Sequence, residues 1–88
     1  MSWDEFRQQL DATCLIIGAI LNVRCFVSVF PDTPFPGDKA GISITAPEQN
    51  GAYFEFDLYA LRDSARRIDV FDILQREIIT AYQTRNTP

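Results

Sequence analysis

Eight consecutive residues, Cys14-Leu15-Ile16-Ile17-Gly18-Ala19-Ile20-Leu21, carry no polar side chain, and they close a segment that otherwise reads as an amphipathic helix. A domain of 88 residues has one core and cannot cover a helix on every side. The octet therefore predicts that a second surface, from another copy or another protein, finishes the burial. Leu15, Ile16 and Ile20 point away from the core-facing stripe, and they are the residues expected at such an oligomer interface.

That stripe is Phe6, Leu10, Cys14, Ile17 and Leu21, recurring at three- and four-residue spacing. Ser2-Trp3-Asp4-Glu5 ahead of it has the form of a capping box, and Asn22 after it is a residue that tolerates the left-handed helix stop. Residues 23–30 read as a strand in which Val23, Cys25, Val27 and Val29 alternate with Arg24, Phe26, Ser28 and Phe30. Apolar groups on both of its faces predict a central or doubly covered strand. Pro31–Asp38 holds three prolines and a glycine and cannot continue a sheet. Ile42 and Ile44 mark a short second strand, and Asn50-Gly51 offers the positive φ angles of a hairpin turn. Residues 52–59 form the third strand, with Phe54, Phe56 and Leu58 on one face and Tyr53, Glu55, Asp57 and Tyr59 on the other. A last helix begins at a capping Asp69 and buries Phe71, Leu74, Ile78 and Tyr82 (or Ala81). The tail Asn86-Thr87-Pro88 is expected to fray.

Helix, three antiparallel strands and helix, in a single domain over residues 1–88, predict an α+β fold: a two-layer sandwich with N- and C-terminal helices flanking a three-stranded sheet. The order resembles that of the double-stranded-RNA-binding domain and, less closely, the opening part of type III secretion chaperones. The likeness lies in topology alone. The basic cluster that the RNA-binding family carries at the start of its last helix would fall near Ile68–Asp72, where this chain has Asp69 and Asp72. The resemblance thus implies a fold and not RNA binding.

Charge points the same way. The net charge is −4 and Lys39 is the only lysine, which opposes binding to a phosphate backbone or an anionic membrane. The acidic start (Asp4, Glu5) and the shortness of the apolar run predict neither a secretory signal nor a membrane span. Cys14 and Cys25 are expected as two buried thiols in a reducing cytoplasm, with a Cys14–Cys25 bridge as the alternative.

Catalytic chemistry is hard to build from these residues. Histidine is absent from the chain, and no glycine-rich phosphate loop or nucleophile elbow occurs. Glu55 and Asp57 share a strand face and would suit acid–base work or a hard cation, but solvated charges on a wet strand are the commoner arrangement. Arg62, Arg66 and Arg67 form the one basic cluster, expected to pair with Asp63 and Asp69. No enzyme activity, metal or cofactor is therefore expected.

Tyr53, Glu55, Asp57 and Tyr59 place two carboxylates between two phenol rings, a composition suited to a basic protein partner. Phe26, Phe30 and Phe35 are a second candidate patch if the sheet face opposite the helices stays open. The leading expectation is a small acidic cytoplasmic protein that binds another protein, an inhibitor or adaptor occluding a basic surface. The alternative is a homo-oligomeric (homodimeric) structural or chaperone-like subunit using Leu15, Ile16 and Ile20. A small-ligand or metal protein using Glu55, Asp57 and the 62–67 segment ranks third.

Overall fold

A computed structural model describes residues 1–86; Thr87 and Pro88, in the tail expected to fray, lie outside the described residues. The order is α1 (Trp3–Leu21), β1 (Arg24–Val29), β2 (Lys39–Ala46), β3 (Gln49–Asp57), α2 (Leu58–Ala65) and α3 (Val70–Asn86). The strands form one antiparallel sheet in the order β1-β2-β3, with helices packed against it. The α+β sandwich is as expected, with one helix more than the sequence suggested.

Helix α1 starts on a complete capping box. The Glu5 backbone N–H donates to Ser2 Oγ at 3.1 Å, and the Ser2 backbone N–H donates to Glu5 Oε1 at 3.4 Å. It stops at Asn22, whose φ of 55° and ψ of 48° are left-handed. The Gly18 carbonyl accepts from both the Asn22 and Val23 backbone N–H groups, so the chain turns from helix to strand within two residues. Phe6, Leu10, Cys14 and Ile17 are buried against Ala40, Ile42 and Ile44 of β2 and against Leu74, Ile78 and Tyr82 of α3. The stripes read for α1 and α3 are the ones that build the core. Thr13 is the polar residue drawn into this core, and its hydroxyl donates to the Gln9 carbonyl at 2.9 Å.

Four sequence expectations need correction. Strand β1 is an edge strand, and β2 is central. Between Val27 and Val29 the pairing with β2 shifts by one residue, a bulge at Ser28. The bulge reverses the alternation, so Val29 is exposed while Phe30 packs on the core. The β2–β3 reversal is made by Pro47 and Glu48, with Ala46 paired to Gln49, because proline presets the φ that the first turn position requires. Asn50 and Gly51 sit instead inside β3, two residues opposite the single Thr45. A Cβ at Gly51 would lie 3.0 Å from the Ile44 carbonyl oxygen, so glycine serves close approach there. Finally, the third strand ends at Asp57, and residues 58–65 are helix α2.

Candidate functional site

Helix α2 takes apart the stripe expected on β3. Tyr53 and Glu55 do share the exposed face of the strand, and the Tyr53 hydroxyl donates to Glu55 Oε2 at 3.2 Å. Asp57 instead caps α2, its Oδ1 accepting from the Ala60 backbone N–H at 2.9 Å. Tyr59 belongs to α2, where its hydroxyl donates to the Pro34 carbonyl at 3.3 Å and its ring lies 5.3 Å from Trp3. Two of the four residues are thus spent on local structure. Since Asp57 accepts a helix bond, Glu55 and Asp57 are not a free carboxylate pair. Among the described residues no three histidine, cysteine or acidic side chains gather where a metal could bind.

The sheet face turned away from the helices is small and mixed. Tyr53 lies flat over Gly41, where any Cβ would strike its ring and hydroxyl. Ser43 Oγ donates to Ser28 Oγ at 2.7 Å, and the Arg24 guanidinium stacks 5.2 Å from the Phe26 ring centre. The three phenylalanines read as one patch are scattered. Phe26 is half-buried on this face, Phe30 packs near Phe6 and Trp3, and Phe35 is exposed in the proline loop. That loop is tied to α2, through Tyr59 and through the Leu58 N–H donating to the Asp38 carbonyl at 3.1 Å.

Partial desolvation of Tyr53, its hydrogen bond to Glu55 and the Glu55 charge all favour the neutral phenol and hold its pKa above the ordinary 10.0. A proton held more tightly in the fold than in the open chain stabilises the fold fully below the ordinary tyrosine value. That contribution disappears as pH rises through the folded value. Absorbance titration, with Tyr53→Phe to assign the signal, is expected to give a midpoint above 10.0 that moves down in Glu55→Gln. A Tyr53 midpoint that ignores Glu55→Gln would show that the pair is not formed in solution.

The arginine cluster also divides. The Arg62 guanidinium sits 3.9 Å from the Trp3 ring centre and 5.3 Å from that of Tyr59, a cation–π contact in place of the expected acid partner. Arg66 and Arg67 are exposed. The ion pairs found among the described residues are Arg7–Asp11 and Arg76–Asp72, both one helical turn apart.

Leu15, Ile16 and Ile20 are 74%, 48% and 55% exposed. Ala12 and Ala19 are exposed beside them, so the outer side of the C-terminal half of α1 is a continuous aliphatic face. Its residues recur at 12, 15, 16, 19 and 20, the spacing of a helix-packing surface. No protein-family model, curated protein or solved structure matches the chain. The reading of this face rests on its own geometry. No helix among the described residues is long and apolar enough to cross a membrane.

Two further features belong to this surface, and the sequence raises the first only through the alternative of a Cys14–Cys25 bridge. One is the groove between α1 and β1, where Cys14 and Cys25 meet. Its signal was present in Gly18, the one small residue on the flank of α1 that lets β1 come close. The other is the Trp3–Arg62–Tyr59 cluster, which depends on α2 and is hidden in the sequence because Leu58 and Tyr59 continue the strand alternation.

Proposed function

We propose that this chain is a non-catalytic interaction subunit that works by docking through the outer face of α1, with a second copy of itself as the occupant. The observation that carries the reading is the exposure of Leu15, Ile16 and Ile20 on one uncharged face. Large aliphatic side chains grouped in this way lose contact with water only when something covers them.

The ends of the face favour an antiparallel pairing of like with like. Asp11 stands beside its N-terminal end, whereas the C-terminal half carries no charged residue of α1 and the nearby Arg24 turns its guanidinium over Phe26. Two copies of α1 crossing head to tail keep the Asp11 carboxylates apart, whereas a parallel crossing sets these like charges against each other. The small Ala12 of one copy then faces the large Ile20 of the other about a two-fold axis near Ile16. A face built on three large side chains is well under the roughly 800 Å² that each partner gives to a stable complex. The pairing is accordingly weak and concentration-dependent.

Sedimentation or light scattering across micromolar to millimolar protein is expected to show a rising mass. Ile16→Glu should hold the chain monomeric at every concentration, with an unchanged circular dichroism spectrum. A wild-type mass that stays monomeric throughout would overturn the proposal.

The adaptor reading, with a basic partner, keeps support from the net charge of −4 and from Tyr53 and Glu55 on the open sheet face. Without Asp57 and Tyr59 its contact surface is narrower than the α1 face.

A further inference from the structure

Cys14 in the middle of α1 and Cys25 near the start of β1 are 2% and 8% exposed. They line one groove between the two elements, together with Leu15, Gly18, Ala19, Val23 and Arg24. Gly18 is what allows this approach: a Cβ there would stand 3.8 Å from the Cys25 Cβ. Both side chains face this one groove and belong to the same core cluster, so the two thiols are neighbours across the seam between helix and strand, placed to influence each other's proton. Both are free thiols, and they are the only two cysteines in the chain.

We propose that Cys14 and Cys25 form a reversible dithiol–disulfide site, oxidised by exchange with a low-molecular-weight disulfide. Cys25, the more exposed of the two, loses its proton to solvent and attacks one sulfur of the small disulfide. One small thiolate leaves and takes up a proton, and a mixed disulfide remains on Cys25. Cys14 then gives up its proton and attacks the Cys25 sulfur, expelling the second small thiolate. Two protein S–H groups are lost and one S–S bond is made, while the small disulfide is reduced to two thiols.

The electrostatics agree with that order of events. The hydrogen bond from Cys14 lowers the Cys25 pKa against the opposing effect of burial. The same bond, burial and the nearby Cys25 and Asp11 charges push the Cys14 thiol up. The groove shares Leu15 and Ala19 with the outer face of α1, so the site is tested in a chain that cannot self-pair as well as in the wild type. Closing it would fasten the C-terminal half of α1 to β1.

The test is incubation of the folded wild-type chain, and of monomeric Ile16→Glu, with oxidised glutathione. Intact mass is expected to fall by two hydrogens, with no thiol left for alkylation after denaturation. The melting temperature is expected to rise on the order of 10 °C, from closure of the short loop between the two cysteines. Cys14→Ser, lacking the resolving thiol, is expected to stop at a single glutathione adduct on Cys25. Two alkylatable thiols surviving in the wild type, or disulfides formed only between chains, would overturn the proposal whatever the variants do.

Discussion

Phe6→Ala is expected to cost about 3–5 kcal/mol of folding stability, the range for emptying a fully enclosed phenylalanine site. Phe6 has no exposed surface, and its ring joins three elements. It meets Trp3 edge-on at 5.7 Å, Phe71 of α3 at 5.3 Å and Phe30 beyond β1 at 6.5 Å. Such ring pairs add about 0.5–1.5 kcal/mol each beyond the area they bury. A domain of this length has roughly 4–13 kcal/mol in all, so the loss is a large share of it. Urea denaturation should show a much lower midpoint, and near-ultraviolet dichroism should weaken. Phe35→Ala, at a ring 65% exposed, should change stability by less than about 0.5 kcal/mol. Equal effects from the two substitutions would contradict the aromatic hub.

Gly18→Val is the second large effect, and its sign is opposite to what helix propensity suggests. Glycine inside a helix costs about 1 kcal/mol relative to alanine, so a larger residue ought to stabilise α1. Here, however, a Cβ would lie 2.9 Å from the Val23 backbone carbonyl oxygen. That atom belongs to the tight turn through Asn22 and cannot swing aside as a side-chain tip would. Overpacking of this kind costs about 1–3 kcal/mol, and the branched valine adds bulk towards Cys25. Thermal unfolding is therefore expected at a lower temperature for Gly18→Val, with Gly18→Ala between it and wild type. A more stable Gly18→Ala would mean that β1 moves away from α1 at little cost.

How legible each element was depended on whether its signal was local. The capping box at Ser2, the left-handed stop at Asn22 and the cap at Asp69 are complete within a few residues, and each forms as read. The exposure of Leu15, Ile16 and Ile20 was also legible, because a helix with one covered stripe must leave its opposite side bare. The errors arose where two local rules competed. Asn50-Gly51 is the stronger hairpin dipeptide in isolation, yet Pro47 fixes the reversal earlier and leaves Gly51 to accommodate Ile44. Leu58 and Tyr59 continue the alternation of β3, but Asp57 is also a helix cap, and the capping bond prevails. That one competition moved Tyr59 out of the candidate site and took Asp57 with it. The bulge at Ser28 had no signal of its own, since either phase of β1 presents apolar side chains.

Trp3 is the only indole of the chain. Held between the Arg62 guanidinium and the rings of Phe6 and Tyr59, at the opposite end of α1 from Ile16 and Ile20, it is a built-in optical gauge. Its emission reports whether the segment after β3 is seated on the first helix, and it is far enough from the aliphatic face to stay silent when two copies meet. Fluorescence thus follows integrity while scattering follows assembly, each blind to the other.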